Sequence, residues 1–118
     1  MESFAVTRIY TDANGDSRFE DIAIPLNDAG EIGFLSAAQN AGTIVFRKVT
    51  EHYDYDFHNA PDRQYIILMD GIIEIETSTG EKRSFSAGEV LLVEDTTGKG
   101  HRTRNLNKEV RSSIFITL

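Results

Sequence analysis

Gln64-Tyr65-Ile66-Ile67-Leu68-Met69, then Asp70-Gly71, then Ile72-Ile73-Glu74-Ile75-Glu76-Thr77, then Ser78-Thr79-Gly80 and Glu81-Lys82-Arg83-Ser84-Phe85 form the stretch on which the fold class turns. β-Branched and aromatic side chains dominate the first two runs. Polar and apolar residues alternate after Ile72, and the breaks carry turn-forming residues. Asp70-Gly71 is the pair that a two-residue type I′ turn favours, and Ser78-Thr79-Gly80 is a Gly-containing turn. Tyr65–Phe85 therefore reads as a meander of short strands.

The same period of two extends in both directions. Upstream, Phe4–Thr11 and Phe19–Ile24 flank the turn residues Asn14-Gly15-Asp16-Ser17, and Pro25 with Asn27-Asp28-Ala29-Gly30 ends the second run. Ser36–Gly42 is built of small residues and closed by Gly, so it reads as a loop rather than a helix. Thr43–Thr50, His52–His58, Glu89–Val93, His101–Asn105 and Arg111–Thr117 complete the set. Many short strands without a helical pattern imply an all-β sandwich, jelly roll or barrel.

Composition sets the limits. The 118 residues hold 12 Lys+Arg against 19 Asp+Glu, a formal charge of −7, with three His and no Cys. A chain of this length supports one core, and residues 1–118 are expected to form a single domain. Disulfide scaffolds, thiolate metal sites and Cys nucleophiles are excluded. The acidic balance argues against nucleic acid and anionic membrane surfaces as partners. The longest apolar runs, Tyr65–Met69 and Val90–Val93, fall far short of the roughly 18–20 residues of a membrane span. Met1–Arg8 lacks the basic and cleavage features of a secretory signal, so a cytoplasmic location is expected.

Imidazole chemistry is confined to His52, His58 and His101. Along His52-Tyr53-Asp54-Tyr55-Asp56-Phe57-His58, strict alternation places His52, Asp54, Asp56 and His58 on one face and the three aromatics on the other. Two readings are open: aromatics in the core with the ionisable face in water, or an ionisable face turned inward to line a pocket. Glu94-Asp95-Thr96-Thr97-Gly98-Lys99-Gly100-His101 lacks the Gly-Lys-Ser/Thr ending of a phosphate loop and opens no helix. It is either a plain connection or a loop that delivers His101 onto a strand at the mouth of a pocket.

These spacings resemble the cupin motifs. The first runs G-x5-H-x-H-x3-4-E-x6-G, against His58-Asn59-Ala60-Pro61-Asp62-Arg63-Gln64 followed by Gly71. In the second, Gly88 and the pair His101 and Asn105 at His-x3-Asn spacing are matched. The blocks Asp56–Tyr65 and Glu94–His101 are also similar to those of a group of small single-domain cupins. The resemblance implies a jelly-roll β-barrel of short antiparallel strands. It also implies a divalent metal (Zn, Fe, Mn or Ni) in the cavity, with His58, Gln64 and His101 as ligands. Departures are large: Ala60 stands where the family has its second His, Gln64 stands where it has Glu, and Glu94 replaces a Pro. Two imidazoles and a neutral amide bring no charge to offset a cation, although Asp56 or Asp54 would supply a carboxylate if it leaned forward.

Two functions follow. One is a metal-assisted enzyme of isomerase, lyase or oxygenase type in which His58 and His101 are catalytic and Arg63, Gln64 and Asp56 bind a small polar metabolite. The alternative is a non-catalytic, metal-free ligand-binding or sensor cupin. Arg63 could fork a substrate carboxylate; Arg104 reads as a solvated charge, and Arg47, alternating with Val45 and Val49, either points the same way as the His or sits at an edge. An inward His face leaves Tyr53, Tyr55 and Phe57 outside, and such a row predicts a homodimer.

Overall fold

Alternation becomes strand almost wherever the sequence shows it. In the computed structural model, which describes residues 2–118, the first half contains β1 (Ser3–Thr11), β2 (Ser17–Pro25), β3 (Asn27–Asp28), β4 (Phe34–Leu35), β5 (Ile44–Val49) and β6 (Asp54–His58). The second half contains β7 (Gln64–Leu68), β8 (Ile72–Thr77), β9 (Lys82–Ser86), β10 (Val90–Val93), β11 (His101–Asn105) and β12 (Arg111–Thr117). Residues 36–43 have no regular structure, as their composition predicts. The two-residue strand β3 falls where Asn27–Gly30 is expected only to end a strand, and the 3-10 turn Gly30–Ile32 and β4 follow in residues to which the sequence assigns no element.

The strands form two main sheets, one ordered β2-β1-β10-β7-β12-β5 and the other β6-β11-β8-β9. All pairings are antiparallel except β1 with β10. Ile9, Leu68, Leu91 and Val93 of the first sheet and Ile73, Ile75 and Phe85 of the second belong to one buried cluster, so the sheets share a core. Each fully buried aliphatic side chain contributes about 1.5–3 kcal/mol.

The turn after β7 has a different role from the one its residues suggest. β7 pairs with β10 and β12, whereas β8 pairs with β9 and β11, so Asp70-Gly71 carries the chain from one sheet to the other. Only Gly residues have positive φ among the described residues, and a type I′ turn would require Asp70 to have it too. The Asp70 carboxylate instead accepts from the Ser112 amide at 2.6 Å. Only β8 and β9 are a hairpin within Tyr65–Phe85, closed by the turn through Gly80.

β6 departs from strict alternation. Against β11 its register runs His58 to His101, then Tyr55 to Thr103, so three steps on β6 match two on β11. This bulge reverses the facing of the residues before it. Tyr55 and His58, three apart, therefore lie on the same side and stack, and Tyr53 also faces the interior. Asp54 turns outward to Arg102, with contacts of 3.0–3.2 Å. Of the aromatic row behind the homodimer expectation, Phe57 is exposed, and Tyr55, although stacked on His58, is exposed as well. Exposed apolar side chains gather elsewhere, at Phe4 of β1 and at Ile44 and Phe46 of β5.

Candidate functional site

Between the two sheets lies a cavity of about 300 Å³ lined from both. Its apolar wall comes from the shared core, and its polar wall is made by β5, β6, β11, β12 and the start of β7. Of the residues expected at a site, the structure brings together His58, Gln64 and His101. Arg63 and Asp56 lie elsewhere. The Asp56 side chain is exposed and accepts from the amide of Phe57, because the bulge removes it from the His58 face. Arg63 is exposed and both its Nε and one terminal nitrogen engage Glu94. Its fork is therefore committed within the protein.

The imidazoles of His58 and His101 are cross-strand partners, with ring centroids 4.6 Å apart and planes tilted by 55°. His58 stacks on Tyr55 at 3.9 Å. Each ring spends its Nδ1 on a fixed acceptor. His58 Nδ1 donates to the Asp56 carbonyl at 2.8 Å. His101 Nδ1 donates to Asp95 Oδ2 at 2.6 Å. A carbonyl or carboxylate oxygen can only accept, so Nδ1 carries a proton in both rings. Burial pushes His58 below the ordinary histidine value. The Asp56 carbonyl opposes this, while the neighbouring His101 and Arg47 add to it. His58 is therefore neutral at pH 7.

Asp95 is the residue that the sequence reading passed over. It is fully buried, six positions before His101, and its carbonyl accepts from the amide of Ala60 at 3.2 Å. The connection Glu94–Gly100 thus joins β10 of one sheet to β11 of the other and is not a hairpin. Asn59 Nδ2 bonds the carbonyls of Asp95 and Gly98, and Ser17 Oγ donates to the Gly100 carbonyl at 2.7 Å. Gly100, at φ +76°, passes so near His58 that an added Cβ would sit 2.2 Å from the His58 carbonyl oxygen. Close backbone approach, not phosphate binding, explains this glycine.

Two guanidinium groups complete the polar wall. Arg111, at the start of β12, is 1% exposed; its Nε donates to Asn105 Oδ1 at 2.9 Å. Asn105 is in turn held by the Thr50 carbonyl. The second cation is Arg47, whose guanidinium lies 4.5 Å from the Phe115 ring centre and 5.3 Å from that of Tyr53. Alternation pointed to Arg47; Arg111 was read only as the first residue of a strand. The inward series Arg111, Ser113 and Phe115 was the available signal.

The donor set suits a divalent cation poorly. Two imidazoles and the Gln64 amide face the cavity, none of its lining residues is acidic, and both guanidiniums share the same wall. Among the described residues, no group of three His, Asp or Glu gathers in a metal-binding arrangement. Asp95 does not line the cavity, and its Oδ2 is taken up by the back of the His101 ring.

The chain is similar to two solved structures. Protein NMB1881 from Neisseria meningitidis matches with a TM-score of 0.50 and 20% identity over 64% of this chain and 71% of its own. A putative ethanolamine utilization protein Q from Salmonella typhimurium matches at a TM-score of 0.42 and 12% identity, over 99% of this chain and 97% of its own. No family model and no curated protein matches the sequence. The first likeness, together with the two-sheet topology, defines the class: an all-β, multi-sheet domain, consistent with a cupin-like one. Among the described residues no helix is long and apolar enough to cross a membrane.

Proposed function

We propose that this chain is a metal-free, small-ligand-binding domain of the cupin type, its two sheets forming the flattened jelly roll of that superfamily and its ligand seated against His58, Gln64 and His101. The carrying observation is the cavity between the sheets, whose lining combines fixed polar groups with an apolar wall and contains no carboxylate. Such a mixture is the ordinary make-up of a small-molecule site. Metal analysis of protein purified without chelator or His tag tests the metal-free part. Less than a tenth of an equivalent is expected, as an order of magnitude for an adventitious trace beside the full occupancy of a built site; stoichiometric metal lost in His58→Ala and His101→Ala overturns it.

A second reading gives His58 and His101 the role of base through Nε2, the ring nitrogen left over from their Nδ1 contacts. A neutral imidazole at hydrogen-bond distance from an acidic C–H or O–H group is a general base, so a metal-free isomerase or lyase is the catalytic counterpart of the same cavity. Turnover of a bound ligand that disappears in His101→Gln, with binding retained, separates this reading from simple binding.

A further inference from the structure

The protein contains eight Arg, and six of them have a carboxylate partner: Arg8, Arg18, Arg63, Arg83, Arg102 and Arg104. Arg47 and Arg111 have none among the described residues, and they are the two that line the cavity. In a chain with 19 Asp and Glu, a carboxylate partner is easily supplied. Its absence at the two guanidiniums that line the cavity is the anomaly.

Both groups also keep unused donors. Arg111 has a terminal nitrogen, and Arg47 its Nε, buried without any hydrogen-bond acceptor. An unsatisfied buried donor of a charged group is costly, by about 1–3 kcal/mol or more. The positions are not slack: Asn105 fixes Arg111 from behind, and Phe115 and Tyr53 flank Arg47. Burial, and then the charge of Arg47, push Arg111 below its ordinary value, as expected of two like charges facing one space. An anion in the cavity would offset both charges and relieve the repulsion.

We propose, resting on the ligand-binding reading above, that the ligand is a small organic carboxylate, its carboxylate held by Arg47 and Arg111 and its body lying along the apolar wall toward His58 and His101. A guanidinium offers parallel N–H groups that match the two carboxylate oxygens. The wall of Ile66, Ile73, Leu91 and Phe115 favours a body with apolar surface over a bare inorganic anion. A cavity of about 300 Å³ limits the ligand to a small acid.

The test compares probes of nearly the same shape, one an anion and the other its neutral amide. Benzoate with benzamide, and hexanoate with hexanamide, are titrated into the full chain by calorimetry and by NMR of the His58 and His101 rings, with inorganic phosphate as a further probe. Each carboxylate is expected to bind at least about tenfold more tightly than its amide, and Arg47→Met is expected to remove that preference. Arg111→Lys keeps the charge and so guards against loss of the fold; it should weaken carboxylates about tenfold while sparing amides. Equal affinity for acid and amide overturns the carboxylate assignment but leaves the ligand-binding cavity standing. Phosphate binding without carboxylate binding also overturns it. No binding of any probe, with the histidine resonances unmoved, overturns both readings.

Discussion

The Nδ1 of His101 donates to Oδ2 of Asp95 at 2.6 Å, with both groups buried and the carboxylate placed by the same loop that leads into β11. The pair ties the orientation of a cavity imidazole to the path of a connection between two sheets. Asp95→Asn keeps the shape and removes the charge. It should destabilise the protein by about 1.5–3 kcal/mol, the usual range for a hydrogen bond to a charged group. Nitrogen NMR of the His101 ring should then show the proton shared between the two tautomers. An unchanged denaturation midpoint and an unchanged tautomer would mean that Asp95 does not hold the ring.

His101 was legible before the structure because a motif spacing marks it, whereas Asp95 was not, since a buried acidic side chain in a polar loop looks like any solvated one. The same contrast runs through the fold. Ile72–Thr77, His101–Asn105 and Arg111–Thr117 have the boundaries that alternation gives them. Sheet membership is a different matter, because Asp70-Gly71 has the residues of a hairpin turn whether the next strand pairs back or crosses over. The bulge of β6 was invisible for a related reason: one extra residue leaves no mark on composition, yet it moves Tyr55 to the side of His58 and Asp56 away from it. Burial of Arg111 is a tertiary property, set by Asn105 and the cavity rather than by its neighbours in the chain.

Close approach at Gly100 gives a paired prediction with Gly80. Both have positive φ, +76° and +89°, so alanine is conformationally unfavourable at either site, by about 1–2 kcal/mol. At Gly80 the added methyl meets open space. At Gly100 it meets the His58 carbonyl at 2.2 Å, a backbone atom that cannot step aside without moving β6. Gly100→Ala should therefore lower the denaturation midpoint well beyond Gly80→Ala and shift the His58 and His101 resonances. Equal losses in the two variants would show that the loop does not press on β6.

Glu94 controls an acid-sensitive contact outside the cavity. Burial tends to raise its carboxyl value, but the ion pairs with Arg8 and Arg63 outweigh burial and hold it below the ordinary glutamate value. A carboxyl with a lowered value in the folded state takes up its proton later on acidification than the unfolded chain does. Its contribution to stability is complete above the ordinary glutamate value and is lost as pH falls through the lowered one. Glu94→Gln should thus flatten the acid side of the stability profile and leave Arg63 free at the surface. Parallel profiles for the two proteins would mean that Glu94 titrates alike in both states.

The missing metal ligands can be supplied by substitution. Ala60 and Gln64 both line the cavity, at the positions where the cupin motif has its second His and its Glu. Ala60→His combined with Gln64→Glu adds one imidazole and one negative charge to the two imidazoles that already line the space. A set of three nitrogens and a carboxylate suits zinc or nickel, whereas two nitrogens and an amide beside two guanidiniums do not. The double variant should bind zinc at one equivalent, with chelator-reversible stabilisation, while the native chain shows neither. Gln64→Glu alone adds the charge without the third nitrogen and should fall between them. Native protein that binds zinc as tightly as the double variant would show that His58, Gln64 and His101 suffice, and the cavity would then have to be reassigned to a cation despite Arg47 and Arg111.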